Sequence, residues 1–347
     1  MNIKKAVVFA LSLLTLTACG GKATGEVTSS SSSSVELDAK GMEVVRFTGL
    51  IDGHETYYAG FPKKFGASSD KKGSLVKIDY QTSVYDAVYD KHVNVYLPYG
   101  YNQEDTSKKY NVIYMEHGNK RSVDDLVHVG EETQFQRELD NLFDPDKAGI
   151  DPAIVVFTSF YLDDTRTIAG DGFTNEEGSS DKFHLEVVND IIPLVESQYN
   201  TYLEGKTLDA IHASRSHRAF TGYSRGGSCT WYMLKNQLES FQYFAPMSGS
   251  PAIFTDGSEE AFEGIWASFK DNFDAHPDLP YFVYPSGGKK EAASCHPWVN
   301  FLTKKTDYFT WSTTNTNKGI CYAVSKLDHH DEYAPTYYYN TLKVFFH

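Results

Sequence analysis

The sequence has little cysteine and a shortage of positive charge. Only 4 of its 347 residues are Cys, too few for a disulfide-stabilised scaffold. Lys and Arg number 32 against 46 Asp and Glu, which gives a formal net charge of −14 at pH 7. Phosphate contacts need clustered basic side chains, so we do not expect a nucleic-acid partner. The 41% of hydrophobic residues is enough for a large core, and the length allows one large α/β domain or two ordinary ones.

Long apolar runs are also scarce, and the one near the start is too short to span a bilayer. Lys4 and Lys5 precede the apolar run 6–16, whereas a membrane helix needs about 20 apolar residues. The segment Leu16-Thr17-Ala18-Cys19-Gly20 that ends it resembles a bacterial lipoprotein signal, which is cut before the Cys and lipidated on it. The sequence therefore predicts a signal peptide over residues 1–18 and an exported protein anchored through Cys19. An ordinary secretory signal, with a secreted product, is the alternative.

The remaining chain divides into three parts by composition. Residues 19–34 include six consecutive serines and are predicted to be a flexible tether, so membrane contact is expected only through the lipid. Residues 35–75 lack clear periodicity and are interpreted as an N-terminal extension packed on the main domain, with a separate small β module as the alternative. Residues 76–347 alternate strand-like and helix-like segments, which is typical of a mostly parallel sheet.

Short apolar runs predict the buried strands of this sheet. They are residues 93–97, 112–115, 153–157, 218–222, 243–247 and 281–284. Between the second and third, one helix capped by Ser122 is expected to bury Leu126, Phe135, Leu139 and Leu142. A helix through residues 187–195 should kink at Pro193, and a final aromatic helix should run from 333 to 346.

The strongest chemical signal is Gly222-Tyr223-Ser224-Arg225-Gly226, which fits Gly-x-Ser-x-Gly. It follows a predicted strand and precedes a helical stretch, the context of a nucleophile elbow. Ser224 is thus the candidate nucleophile, which needs a base and oxyanion donors. The expected donors are the backbone N–H groups of Arg225 and of Asn119, with Gly118 as second choice. His117, in the same turn as Asn119, is expected to order that turn.

The base and the acid should follow Ser224 in the order acid, then His. Candidate bases are His276, His296, His329, His330 and His347. The pair His329-His330 follows a strand-like stretch and precedes the last helix, as the base should. Glu291 is the first carboxylate after the strand 281–284 and is the candidate acid, with Asp307, Asp328 and Asp331 as alternatives.

Taken together, these residues resemble carbohydrate esterase family 1, the esterase-D-like branch of the α/β-hydrolases that contains feruloyl and acetyl xylan esterases. The resemblance covers about residues 75–346 and rests on the segments 95–101, 114–118, 190–196, 214–220 and 241–249. It implies an α/β-hydrolase fold with a mostly parallel central sheet flanked by helices on both faces. Family members usually carry Gly-Thr-x-Asp at the acid loop, and aligning Gly288 with that Gly places Glu291 on the Asp. Counting back from Leu342 and the Phe pair places the base at His329, whereas the His-Asp of other members favours His330.

The resemblance implies a serine esterase that removes feruloyl or acetyl groups from plant cell-wall xylan through an acyl-enzyme intermediate. In that reading Ser224 attacks, His329 moves the proton and Glu291 orients His329. No cofactor and no metal is expected, because this chemistry needs neither. An acyltransferase of the same fold and a non-catalytic carbohydrate-binding lipoprotein are the alternatives, and the oligomeric state stays open.

Secondary expectations concern aromatic side chains and the remaining cysteines. Tyr161 and Phe173 are candidate walls of the substrate pocket. At most two of the three later cysteines can pair, and a disulfide between Cys295 and Cys321 would tie the acid loop to the strand before the base. Cys229 is expected to be a small buried apolar residue.

Overall fold

The structure is a computed structural model, and it describes residues 36–38, 41–147, 150–163, 179–252, 255–289, 291, 294–314 and 317–346. The predicted signal peptide with Cys19, the tether, Phe173 and His347 lie outside the described residues. No helix in these ranges is both long and apolar enough to cross a membrane.

The described strands join in a single sheet. In chain order they are β1 (Val44–Ile51), β2 (His54–Ala59), β3 (Ser74–Thr82), β4 (Tyr89–Leu97), β5 (Val112–Glu116), β6 (Ile154–Thr158), β7 (Arg218–Tyr223), β8 (Tyr243–Met247), β9 (Phe282–Val283), β10 (Ser286–Gly287), β11 (Thr310–Trp311), β12 (Gly319–Ile320) and β13 (Ala323–Val324). Their main spatial order is β1-β2-β13-β10-β8-β7-β5-β6-β4-β3. The strands from β13 to β6 are parallel, and β4 and β3 continue the sheet in antiparallel pairing.

Helices cover both faces of this sheet. They are α1 (Val123–Leu126), α2 (Gln134–Leu142), α3 (Ser179–Glu186), α4 (Ile192–Glu196), α5 (Leu208–Ala213), α6 (Arg225–Asn236), α7 (Glu259–Ala275), α8 (Cys295–Thr303) and α9 (Ala334–Leu342). Successive side chains of a strand point to opposite faces, so Val112 and Tyr114 join one core with α6, α7 and α8. Ile113 and Met115 join the other core with α2 and α9. The predicted architecture, a mostly parallel sheet between two helical layers, is confirmed.

Every residue of β5, β7 and β8 is buried. These strands lie in the middle of the sheet and are covered on both sides, which is why their sequences are mostly apolar. The polar exceptions Glu116, Arg218 and Thr221 are buried as well. The outer strand β3 instead alternates between exposed and half-buried positions. The central strands were therefore the most readable from the sequence.

The prediction of one long helix after Ser122 is wrong. Helix α1 ends at Leu126, and α2 begins at Gln134 behind a new cap, Thr133, whose side chain accepts a hydrogen bond from the Gln136 N–H. Gly130, between them, has φ +95°, a conformation that glycine adopts without steric cost. The helical spacing of apolar residues continues from Leu126 to Phe135 across this turn, so the sequence pattern did not reveal the break.

Two other helix boundaries differ from the sequence expectation. The final helix α9 spans only Ala334–Leu342 and follows a 3₁₀ turn at Asp331–Tyr333. Pro335 lies in its first turn, where a missing N–H costs nothing. Ahead of Pro193 the chain forms a π-helical turn at Val187–Ile191, which leads directly into α4.

The segment before β3 contributes a hairpin to the same sheet. Strands β1 and β2 pair antiparallel, and β2 continues the sheet through the pairing of Tyr57 with Ala323 in β13. The Asn340 side chain of α9 accepts a hydrogen bond from the Ala59 N–H at 2.9 Å and donates one to the Ala59 carbonyl at 2.8 Å. The hairpin is thus tied to the main sheet and to the last helix.

Candidate active site

Ser224 lies on a sharp turn between β7 and α6. Its φ is +59°, in the left-handed region that non-glycine residues rarely adopt. A Cβ on Gly222 would lie 2.6 Å from the Gly226 backbone, and one on Gly226 would lie 2.5 Å from the Glu116 carbonyl oxygen. The two glycines of the motif are therefore required by contacts with backbone atoms, which cannot move aside.

The sheet brings the other candidate residues to the same edge. Glu116 pairs with Gly222, so the turn after β5 lies beside Ser224. Gly287 of β10 pairs with Val324 of β13, so the loops that follow these two strands are neighbours as well. Because parallel strands end at one edge, four loops converge there.

Three predicted side chains form a continuous hydrogen-bonded chain at this edge. His329 Nε2 lies 2.8 Å from Ser224 Oγ, and His329 Nδ1 lies 2.5 Å from Glu291 Oε1. An ionised carboxylate only accepts hydrogen bonds, so Nδ1 must carry the proton. Nε2 is then the acceptor that faces the Ser224 hydroxyl.

Glu291 is 4% exposed, and each carboxylate oxygen has a partner. Oε1 accepts from His329, and Oε2 accepts from the Gly288 N–H at 2.8 Å. Burial raises the pKa of Glu291, but these two hydrogen bonds to the charged form outweigh burial, so the net pKa lies below the ordinary value. The Glu291 carboxylate is ionised at neutral pH.

The alternative bases and acids whose side chains the structure describes do not share this geometry. The His330 side chain is 66% exposed, with Nδ1 3.7 Å from the Glu332 carboxylate. His276 pairs with Glu239, and His296 is buried in α8. Asp307 and Asp328 are exposed, and the side chain of Asp331 lies outside the described residues.

The turn after β5 packs directly against the serine. A Cβ on Gly118 would lie 3.5 Å from Ser224 Cβ. The Tyr161 hydroxyl accepts a hydrogen bond from the Lys120 N–H at 2.7 Å and donates one to Asn119 Oδ1 at 3.0 Å. This tyrosine therefore holds the turn that carries Asn119. Across from it, Arg225 is the first residue of α6, and first-turn N–H groups point out of a helix end.

His117 stabilises the same turn from inside the protein. It is fully buried, with Nδ1 2.8 Å from the Gly118 carbonyl oxygen and Nε2 2.9 Å from Ser159 Oγ. Its ring packs on Phe160 and Tyr161. Both ring nitrogens are thus used in ordering the turn.

A family model described as "Putative esterase" matches residues 89–307. This range is more than half of the chain. The chain belongs to the esterase family.

Sequence relatives of this esterase include xylan-degrading enzymes. Endo-1,4-beta-xylanase Y of Acetivibrio thermocellus is 32% identical over 267 residues, which are 74% of this chain and 22% of the relative. An endo-1,4-beta-xylanase/feruloyl esterase of Xylanibacter ruminicola is 28% identical over 158 residues, 45% of this chain and 19% of the relative. The esterase thus spans about a fifth of the length of these curated relatives.

Solved structures agree with the family. A serine-to-alanine mutant of the feruloyl esterase module from Clostridium thermocellum, complexed with sinapinate, is 27% identical, with 84% of this chain and 94% of that chain covered and a TM-score of 0.66. A ferulic acid esterase of carbohydrate esterase family 1 from the anaerobic fungus Anaeromyces mucronatus is 19% identical, with 83% and 96% covered and a TM-score of 0.58, and shows the fold alone. The α/β-hydrolase fold and the resemblance to carbohydrate esterase family 1 are confirmed, and these likenesses support a serine carboxylic ester hydrolase.

Two side chains of this esterase's site carried no recognisable sequence signal for their roles. Tyr223 occupies a variable position of the elbow motif, yet its ring stacks on His329 with centroids 5.2 Å apart. Its hydroxyl donates to the His330 carbonyl oxygen at 3.2 Å, which fixes the loop that carries His329. Tyr161, expected as a pocket wall, does line a cavity beside Ser122 and Ser159. Its hydroxyl also supports the Asn119 turn, a role that the sequence did not indicate.

The three later cysteines of the esterase form no disulfide within the described residues, and all three are buried. The suggested Cys295–Cys321 disulfide is therefore wrong. Cys295 Sγ donates instead to the Gly249 carbonyl oxygen at 3.3 Å, and burial raises the pKa of its thiol. Within the described residues, no group of three or more His, Cys, Asp or Glu side chains is placed to hold a metal ion.

Proposed function

We propose that this esterase hydrolyses hydroxycinnamoyl or acetyl esters on plant cell-wall xylan through an acyl-enzyme intermediate. The observation that carries the proposal is the hydrogen-bonded chain from Ser224 through His329 to Glu291, at 2.8 and 2.5 Å. Such a chain activates a serine hydroxyl that is a weak nucleophile by itself.

Acylation follows from this geometry. His329 Nε2 takes the hydroxyl proton as Ser224 Oγ attacks the ester carbonyl carbon. The N–H groups of Arg225 and Asn119 hold the negative charge that develops on the carbonyl oxygen. His329 then returns the proton to the alcohol oxygen as the carbon–oxygen bond breaks, and the acyl group stays on Ser224.

Deacylation repeats these steps with water. His329 takes a proton from water, the resulting hydroxide attacks the acyl carbon, and Ser224 Oγ regains the proton from His329. The Glu291 carboxylate stabilises the positively charged imidazolium in both halves because the lowered pKa keeps it ionised.

The substrate class rests on the relatives. One similar structure is a feruloyl esterase module complexed with sinapinate, and one relative combines xylanase and feruloyl esterase in its name. Sinapinate is a hydroxycinnamate, so these likenesses favour hydroxycinnamoyl over acetyl esters. Methyl ferulate and acetylated xylan, assayed side by side, test this preference, and faster release of acetate would contradict it.

Active-site labelling tests the intermediate. A fluorophosphonate should label the wild-type protein, and Ser224→Ala should abolish the label. A wild-type protein that stays unlabelled would favour the alternative of a non-catalytic carbohydrate-binding lipoprotein.

Histidine variants test the base. His329→Ala should abolish turnover of methyl ferulate while His330→Ala retains it, and the reverse pattern would move the base by one residue. Formation of a new ester with an added alcohol, in place of free ferulate, would favour the acyltransferase alternative.

We also propose that the protein is exported and anchored by a lipid on Cys19, which lies outside the described residues. The supporting observation is the segment Leu16-Thr17-Ala18-Cys19-Gly20 after a short apolar run. Radiolabelled palmitate fed to a bacterial host that expresses the protein should label the wild type and not Cys19→Ala. A wild-type protein without label would contradict the anchor.

A further inference from the structure

A cavity of about 350 Å³ opens beside the proposed nucleophile, between α1, α2 and the start of α9. This volume is within the range of small-molecule sites. Gly118 and Tyr223 form its inner wall. A Cβ on Gly118 would lie 3.5 Å from Ser224 Cβ, and the Tyr223 ring stacks on His329. Two lining residues of the cavity are therefore direct neighbours of the proposed nucleophile and base.

The position of the cavity relative to His329 indicates which half of an ester it faces. During acylation the departing alcohol oxygen receives its proton from His329 Nε2, so the alcohol must lie on the side of His329. Glu332, Ala334 and Pro335 follow this histidine in the chain and line the cavity. The cavity thus faces the alcohol half of the ester and not the acyl half.

The lining combines aromatic faces with hydrogen-bonding groups. Phe135 packs against Tyr338 with ring centroids 4.7 Å apart, and both line the cavity. The polar lining includes the Arg121 guanidinium and the buried Glu138, whose Oε1 accepts a hydrogen bond from Gln134 at 2.8 Å. Such surfaces suit a ligand with apolar ring faces and hydroxyl groups at its edge.

The charges of the lining select against an anion. Asp125, Glu138 and Glu332 provide three carboxyl groups against the single guanidinium of Arg121 among the described lining residues. Burial raises the pKa of Glu138 to about 7, so near neutral pH its carboxyl group both donates and accepts hydrogen bonds. A neutral polyol fits this lining better than a uronate does.

We propose that this cavity is the subsite for the sugar alcohol of the ester, a neutral pentose together with the next sugar of its chain. The inference rests on the proposed function because it names the leaving group of that reaction. The subsite explains how one catalytic centre could prefer a polysaccharide ester over a simple alkyl ester of the same acid.

Blocking the mouth of the cavity tests the subsite. Gln134 is exposed at the first position of α2 and lines the cavity, so Gln134→Trp places an indole in the opening. Glu131→Trp is the matched control because Glu131 is exposed three residues earlier and does not line the cavity. The measured quantity is kcat/KM for a feruloylated arabinoxylo-oligosaccharide divided by kcat/KM for methyl ferulate.

This ratio should fall at least tenfold in Gln134→Trp and stay within twofold of wild type in Glu131→Trp. Glu332→Ala, at a 61% exposed side chain, should lower it about threefold through a raised KM for the sugar ester. An unchanged ratio in Gln134→Trp, or an equal fall in both Trp variants, would overturn the subsite. A wild-type ratio near one would also overturn it, whereas hydrolysis of neither ester would contradict the proposed function instead.

Discussion

At the scale of single residues, the acid position shows how this site tolerates a longer side chain. Glu291 stands where the family usually has Asp, and its extra methylene lets the two oxygens reach the His329 ring and the Gly288 N–H. A Cβ on Gly288 would lie 2.2 Å from the Leu327 carbonyl oxygen. The loop around Gly288 is thus closely packed, and its backbone lies where the longer side chain of Glu291 can reach it.

We expect Glu291→Asp to lower kcat for methyl ferulate by about 10- to 100-fold, because a side chain shorter by about 1.5 Å cannot keep both hydrogen bonds. Glu291→Gln should cost more, about 10³- to 10⁴-fold, because an amide does not select the Nδ1–H tautomer. Steady-state kinetics of the two variants checks the order. Equal activity of Glu291→Asp and wild type would show that the loop adapts to the shorter acid.

Glu138 predicts a pH dependence of stability. Burial raises the pKa of Glu138 from an ordinary 4.5 to about 7, despite the hydrogen bond from Gln134 and the charge of Arg137. The folded state therefore favours the protonated form, and stability is lost as the pH rises from about 4.5 to 7. Relative to wild type, Glu138→Gln should gain about 3 kcal/mol in unfolding free energy between pH 4 and pH 8. Urea unfolding at both pH values measures this gain, and a difference independent of pH would contradict the assignment.

At the scale of elements, the strand–turn–helix of β7 and α6 depends on close backbone contacts. Gly226 lies in the first turn of α6 against the end of β5, and a Cβ there would lie 2.7 Å from the His117 carbonyl oxygen. Gly264, inside α7, has nothing within 4 Å of its would-be Cβ. Backbone contacts thus require glycine at position 226, whereas no contact requires it at position 264.

Alanine at these two glycines should have opposite effects. Gly226→Ala should destabilise the protein by about 1 to 3 kcal/mol and lower esterase activity at least 100-fold, because the added methyl displaces the elbow. Gly264→Ala should stabilise by about 1 kcal/mol through helix propensity, with unchanged activity. Urea unfolding and methyl ferulate assays of both variants test this. A stable, active Gly226→Ala variant would show that the elbow does not require glycine at this position.

At the scale of the whole molecule, the N-terminal hairpin and the catalytic sheet form one structure. Strand β2 extends the sheet next to β13, the strand that precedes the His329 loop. The Asn340 side chain holds the Ala59 backbone through two hydrogen bonds from the last helix. Elements from the two ends of the described chain thus support each other.

Replacing Asn340 with leucine, which has a similar size, should loosen this junction. Asn340→Leu leaves a backbone N–H and carbonyl of Ala59 without partners in a buried place, at a cost of about 2 to 4 kcal/mol. Hydrogen exchange should quicken in β1 and β2 more than in β7, and fluorophosphonate labelling should persist. Uniform acceleration across the sheet would show that the hairpin and the core unfold together.

The sequence by itself determined the central strands, the elbow and the order of the three candidate catalytic side chains. These features follow from local patterns, because a strand buried on both faces is mostly apolar and the turn at Ser224 needs a glycine on either side of it. Tertiary structure alone decided the pairing of β2 with β13, the absence of a bond between Cys295 and Cys321, and the roles of Tyr161 and Tyr223. It also created the cavity on the His329 side. Each of these depends on contacts between residues far apart in the chain, which no local spacing records.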